Sequence, residues 1–421
     1  YKPKYLGSSQ GLSNNSVRAI FQDSRGFMWF GTYDGLNRYD GYEFKILRNR
    51  INDTASLPHN YISAINEDDD HHLWIGMGQG AVTYNPVTNK VTPVYCFSYR
   101  TKQEARITAY INSIEKDAEG NMFLGTSGSG LIVKLKNEKV AIQVPLRNTD
   151  GSISAFSAVQ AMYMDRQKRT WVFVSGSGLH QYNYKTRQLD AVDVSLINLP
   201  VNKMLADEQG NLWLGTSTGL YKYSVSQKTI LSSYTADNGK LSANYVTALS
   251  ADAGGKLWIG TDGGGIDLLD THTGQISNIE QGRQPGLVSA KTILTIFIDK
   301  ESRKWIGTNK GGINVFDISG NMFNTIRRDP FYAELSNNFI TSFFEDPKGS
   351  LWIGTDGGGV NVWNSRRDHF TVYQTPFLSN NIISSITQDA AQNTWIATFG
   401  SGVNRLTKSG SIKNYRLINT D

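Results

Sequence analysis

The stretch that decides the fold is Gly26–Asp40, GFMWFGTYDGLNRYD. An apolar run carrying Trp29 leads through Gly31 to a turn at Tyr33–Gly35, and a second alternating run, Leu36–Tyr39, follows. Two period-two segments around a glycine-bearing turn predict a β-hairpin. Eight further versions follow, among them HHLWIGMGQGAVTYN (71–85), GKLWIGTDGGGIDLLD (255–270) and GSLWIGTDGGGVNVWN (349–364). Their aromatic anchors are Trp29, Trp74, Phe123, Trp171, Trp213, Trp258, Trp305, Trp352 and Trp395, spaced by 45, 49, 48, 42, 45, 47, 47 and 43 residues.

An aspartate stands six positions before every anchor: Asp23, Asp68, Asp117, Asp165, Asp207, Asp252, Asp299, Asp346 and Asp389. Each closes a short alternating run such as SVRAIFQD or YVTALSAD, as the turn between two strands requires, and the carboxylate is expected to accept backbone N–H bonds there. One unit then reads as four strands: A (SVRAIFQD), B (FMWFGT), C (GLNRYD) and an outer D (YEFKIL). A helix-containing repeat fails, because glycine recurs in the middle of each copy. The fold class is therefore all-β, a β-propeller of nine four-stranded blade repeats. The anchors are expected to fill the seams between sheets, and the glycines two residues beyond them to permit close packing and positive φ.

Residues 1–13, YKPKYLGSSQGLS, resemble a D strand and its loop, while the last unit has its own D-like segment, SIKNYRLI; ten D-like strands for nine A–B–C sets leave one surplus. Propellers usually have four to eight blades. The preferred partition is a seven-bladed ring over 1–315 and two blades of a second, incomplete propeller over 316–421, with one nine-bladed ring as the alternative.

Composition narrows the function. The 421 residues include 41 glycines, 47 aromatics and 10 prolines, which excludes collagen-like and disordered classes. Charged residues make up 19%, and the net charge of +5 is spread along the chain, so no nucleic-acid stripe is expected. The single cysteine, Cys96, rules out an intrachain disulfide and a cysteine-rich metal site. No apolar run approaches 18 residues, and Tyr1 is followed by no signal-peptide pattern; the chain reads as cytoplasmic or as a processed export domain. GTDGGG lacks a following Gly-Lys-Ser/Thr and a helix, which removes the phosphate-loop reading. His71–His72 reads as a solvated turn rather than a metal pair, so no metal and no cofactor are called. The recurring aspartates are turn residues, and no catalytic residue is assigned.

LSNNSV (12–17), QDSRGFMWFGTYDGLNRYDGYEF (22–44) and the recurring LWIGTDGGG resemble the two-component regulator propeller repeat. The resemblance runs from Gly11 to Leu406. It departs at Phe123, at WVFVSGSG in the fourth unit and at Ala397 in the ninth. What it implies is the periplasmic sensor region of a hybrid two-component system of gut Bacteroidetes, in which two seven-bladed propellers precede an immunoglobulin-like domain, a membrane helix and a cytoplasmic kinase. It further implies an oligosaccharide ligand, control of polysaccharide-utilisation genes, homodimerisation of the parent receptor and membrane attachment only through downstream segments. Kinase activity would lie outside this chain.

The rim bearing the B–C and D–A loops is the expected recognition surface. Its candidates are Tyr33, Asp34, Asn37, Arg38, Asp262, Asn309, Lys310, Asp356 and Phe399, because sugars take planar hydrogen bonds and apolar ring faces. Asn15, Asn60, Asn244, Asn338 and Asn381, each 14 residues before an anchor, are expected to close turns on that rim. Two other classes stand beside the sensor: a protein-interaction propeller without a small ligand, and a polysaccharide lyase or hydrolase.

Overall fold

The computed structural model describes residues 4–53, 55–99, 101–147, 152–154, 158–279, 288–317, 335–366 and 369–416. Its strands form nine sheets, each beginning with the antiparallel order A-B-C; seven are wholly antiparallel, and the third and fourth each include one parallel pair. The chain divides into two compact units, Tyr1–Gly320 and Asn321–Asp421. Seven sheets lie in the first unit and two in the second. The division falls five residues beyond the expected boundary, since Phe316 ends the third strand of sheet seven and packs on Trp258.

The amino-terminal strand Lys4–Leu6 pairs with Ile313–Phe316 and becomes the outer strand of sheet seven, which resolves the surplus D strand. Sheet one, Val17–Gln22, Met28–Thr32, Gly35–Tyr39 and Phe44–Leu47, then packs against sheet seven. Trp305 shares a core with Leu6, Val17, Ile20 and Phe30. Ser16 Oγ also donates to Asn309 Oδ1 at 3.1 Å. Sheets three and four carry two extra strands each, Tyr95–Phe97 with Glu104–Arg106 and Leu146–Arg147 with Ile153–Ser154.

Each turn aspartate does two jobs. One carboxylate oxygen accepts the backbone N–H four residues on in all nine units, as at Phe27 (2.9 Å) and Asn393 (2.8 Å). In seven units the other accepts the anchor indole N–H, at 2.8 Å from Trp29 and 2.7 Å from Trp305. The six-residue spacing thus satisfies a buried indole donor whose burial would otherwise be costly. Asp117 faces Phe123, which has no N–H, and takes the Asn121 amide instead at 2.7 Å. Asp207 pairs with Lys222 at 3.0 Å.

The indoles fill the seams as expected. Trp29 packs on Ile62, Ile65 and Leu73 of sheet two, Trp258 on Ile293 and Ile296 of sheet seven, and Trp352 on Ile383 and Ile386 of sheet nine. The glycine two residues beyond seven of the anchors is required by close approach, and positive φ plays no part there. A Cβ on Gly31 would lie 2.7 Å from Ile62 Cγ2, and one on Gly307 would lie 2.7 Å from the Val17 carbonyl of sheet one. Positive φ belongs to the following hairpin, at Gly35 (113°) and its counterparts.

Candidate functional site in the channel of the first unit

The inner strand of every sheet carries a β-bulge at the same place. Register shifts between Val17 and Ala19, Ile62 and Ala64, Ile111 and Ser113, and likewise in the six other sheets. A bulge leaves one residue unpaired and re-aims its side chain. In the first unit those residues are Arg18, Ser63, Asn112, Gln160, Asn202, Thr247 and Leu294, and all seven line a cavity of about 1690 Å³. The flanking positions are constant for structural reasons: Val or Ile before the bulge meets the seam glycine, and a small residue usually follows it. Some of the bulge residues also tie neighbouring sheets together. Asn112 Nδ2 donates to the Val159 carbonyl at 2.6 Å, and Asn202 Nδ2 to the Val246 carbonyl at 3.1 Å.

Aromatic rings extend this collar toward the B–C loops. Tyr33 and Tyr61 have ring centroids 4.8 Å apart, and Tyr61 and Tyr110 are 5.8 Å apart with hydroxyls at 3.3 Å. The Arg18 guanidinium lies 6.0 Å from the Tyr61 centroid and bonds to the Tyr33 hydroxyl. Burial opposes the charge on Arg18, but Tyr110, Tyr61 and Tyr33 outweigh it and its pKa stands above the ordinary value. Burial and the bond to Tyr110 likewise raise the Tyr61 phenol. Tyr33 and Tyr245 remain partly open to solvent, so rings and cation together form a crescent that a planar or ring-shaped solute can reach.

Deeper in the channel stand Glu115 of sheet three and Lys203 of sheet five. Protein surrounds Lys203 while the channel still admits solvent to it. Burial lowers its pKa, Arg18 adds repulsion, and Glu115 pulls the other way. Burial pushes the Glu115 carboxyl up to about 7, against the attraction of Lys203. At the opposite mouth Arg166 and Glu208 are paired at 2.5 Å.

The sequence candidates divide on placement. Tyr33 joins the crescent; Asp262, which accepts from Thr292 Oγ1 at 2.7 Å, and Asn309 line the cavity. Lys310 sits beside Asn309 with its backbone N–H on Ser16 Oγ at 3.1 Å. Asp34 is held by Arg48 at 2.9 Å and by Asn60 at 3.1 Å. Two of these expectations are corrected. Asn37 is fully buried, its amide spent on Ser13 and the Phe30 carbonyl, so it offers nothing at the rim. Arg38 lies 4.6 Å from the Phe27 centroid, toward the A–B turn and away from the B–C loops. Asp356 and Phe399 belong to the second unit, where Phe399 is exposed and Asp356 makes an isolated bridge to Ile382.

Asn15, Asn60, Asn244 and Asn381 close their loops, each Oδ1 accepting a backbone N–H at 2.6–2.8 Å. Sequence reasoning missed Arg18, Tyr61, Tyr110, Glu115, Lys203 and the bulge collar. The available signal was variability five residues before each turn aspartate, between positions that hardly vary. Among the described residues Asp68, Asp70 and His72 come close enough to hold a cation, yet Asp68 is already spent on the His72 N–H and the Trp74 indole.

Residues 11–34, 56–79, 195–218, 240–263 and 334–357 match the family model described as two component regulator propeller. Those five segments are similar to two-component regulator propeller repeats. A histidine kinase of Formosa agariphila is 53% identical over 47 residues, which is 11% of this chain and 3% of that protein. The extracellular domain described as that of a hybrid two-component system from B. thetaiotaomicron aligns over all of this chain and 55% of its own length, at 24% identity and a TM-score of 0.62. A second extracellular domain from that organism, described as belonging to a one component system, aligns over 98% of this chain and 54% of its own, at 21% identity and a TM-score of 0.57. The chain thus spans about half the length of these propeller structures. Among the described residues no helix is long and apolar enough to cross a membrane.

Proposed function

We propose that this chain is a ligand-sensing part of the extracytoplasmic region of a two-component receptor, placed in the periplasm, and that it binds a glycan-derived oligosaccharide at the channel mouth of the first unit. The observation that carries the reading is the Tyr33–Tyr61–Tyr110 crescent with Arg18, set beside a collar of amides and hydroxyls. Tyrosine faces suit sugar rings, and the collar offers the planar donors and acceptors that sugar hydroxyls require. In the longer protein, binding would bias a homodimer and so the kinase, leading to expression of polysaccharide-utilisation genes. No catalytic step is assigned to this chain.

The repeats support the receptor context. Sheet packing supports reading 1–315 as essentially one seven-bladed ring and 316–421 as two blades of a second propeller: Phe343, on the inner strand of sheet eight, is 64% exposed where the same position in sheet one, Ile20, is 8% exposed. That open apolar face also favours a second reading, in which the second unit docks a protein surface.

Isothermal calorimetry of the full chain against a panel of neutral, sulfated and uronic-acid oligosaccharides tests the proposal. Binding to at least one member that weakens tenfold or more in Tyr61→Ala is expected. No heat and no thermal shift with the entire panel would overturn sugar sensing by this region.

A further inference from the structure

Two cations in the channel of the first unit make no carboxylate ion pair within 4.0 Å among the described residues. Arg18 meets phenols, bonding to Tyr33 and lying over the Tyr61 ring under the electrostatic influence of Tyr110. Lys203 makes no ion pair within 4.0 Å among the described residues, and it lines the same cavity as Arg18. Lys203 is also out of place by the logic of the repeat. It occupies the position after the bulge, four before the turn aspartate, where the other six sheets of the unit carry Ala19, Ala64, Ser113, Ala161, Ala248 and Thr295. A small residue is sufficient for the sheet, so the ammonium serves the channel and not the fold.

We propose that the waist of this channel, between Arg18 of sheet one and Lys203 of sheet five, is a seat for an oxyanion, the carboxylate or sulfate ester of an acidic saccharide. The proposal rests on the sugar-sensing reading for the rest of the ligand. The seat itself stands on the geometry of the cavity: room for several sugar rings, amides of Asn112, Gln160 and Asn202 around the wall, and two unpaired cations facing inward. A guanidinium gives a carboxylate or sulfate two parallel donors, and an ammonium adds a compact charge.

Glu115 is the carboxyl that faces Lys203, and Tyr163 and Arg166 stand on the neighbouring sheet, with Arg166 paired to Glu208; His272 lines the cavity toward the A–B turns, and Asp262 lies at the mouth. Because Glu115 takes up a proton near pH 7, the waist becomes more positive as pH falls from 8 to 6, while a uronate stays ionised. Affinity for an acidic ligand therefore rises on acidification, and Glu115→Gln fixes it near the low-pH value.

The test uses the full chain, with trigalacturonate, its fully methyl-esterified counterpart and sodium sulfate as probes in calorimetry at pH 6 and pH 8. Lys203→Ala is the decisive variant, since alanine is what four sister sheets already carry. The expected result is a preference of at least tenfold for trigalacturonate over its ester, lost in Lys203→Ala and reduced in Arg18→Gln, with tightening at pH 6 that Glu115→Gln abolishes. Sulfate binding without uronate binding, lost in the same variants, supports the seat and assigns it to sulfate esters. Equal affinity for acid and ester, a preference that survives Lys203→Ala, or no binding of either acidic probe overturns it. Neutral saccharides that still bind in that last case would leave sugar sensing intact. Anion binding without any saccharide binding would keep the seat and remove the sugar.

Discussion

The two units are built from the same repeat and differ in what their inner strands meet. In sheet one the strand Val17–Gln22 is buried at four of its six positions and exposed at none, because sheet seven covers one face and sheet two the other. In sheet eight the equivalent strand Ile340–Glu345 alternates between half-buried and exposed residues, and Phe339 and Phe343 reach solvent at 75% and 64%. The anchors follow suit: Trp258 is 2% exposed between sheets six and seven, whereas Trp395 of sheet nine is half-buried. One repeat unit therefore does not stabilise itself. Its apolar faces are satisfied by neighbours, and closing the circle covers every seam.

The largest expected contrast is at the anchors. Trp258→Ala removes a buried indole and strands Asp252, and is expected to cost about 3–5 kcal/mol; Trp395→Ala should cost about half of that. Denaturant unfolding of both variants measures the difference, and equal losses would break the comparison. Next come Ile20 and Phe343, the same position in sheets one and eight. Ile20→Ser should cost about 2–5 kcal/mol, while Phe343→Ser should stay within about 0.5 kcal/mol.

Glycine substitutions give a smaller contrast. Gly260→Ala forces a Cβ to 2.6 Å from Ile293 Cγ2 and is expected to cost about 1–3 kcal/mol. At the matching place in sheet nine alanine is already present as Ala397. Ala397→Gly should cost only about 0.5–1 kcal/mol, through chain entropy alone.

The smallest effect concerns acid. Bonds from Asn393 and the Trp395 indole lower the Asp389 carboxyl to about 2. A depressed pKa means that its contribution is present above the ordinary carboxylate range and disappears as pH falls toward 2. Asn393→Ala should raise the Asp389 pKa toward the ordinary value, readable by carboxyl NMR, with a modest loss of stability at pH 7 that fades as pH falls toward 2.

Much of this frame was legible in the sequence because it repeats. Nine aspartates and nine anchors at one spacing located the hairpins, and the D-like run near Tyr5 identified a strand that needed a partner. What pairs with that strand was not legible, since strand pairing across some 300 residues leaves no local periodicity. The site was less legible still. The repeat marks out the B–C turn and the strand that follows it, yet Asn37 on that strand is consumed by Ser13 and Arg38 lies over Phe27. The channel is lined by the one position the repeat does not constrain, where a bulge turns Arg18, Asn112 or Thr247 inward, and a bulge is invisible to a period-two reading.

The central structural claim is that the first unit closes on itself through Lys4–Leu6 while the second presents an open sheet face. Native-state hydrogen exchange tests it most directly, comparing peptides that cover Lys4–Leu6 and Ile313–Phe316 with one that covers Ile340–Glu345. The account predicts that the first two are protected to the level of the inner strands of the first unit, and that Ile340–Glu345 exchanges sooner. Rapid exchange of Lys4–Leu6, with Ile340–Glu345 as protected as Val17–Gln22, would contradict it.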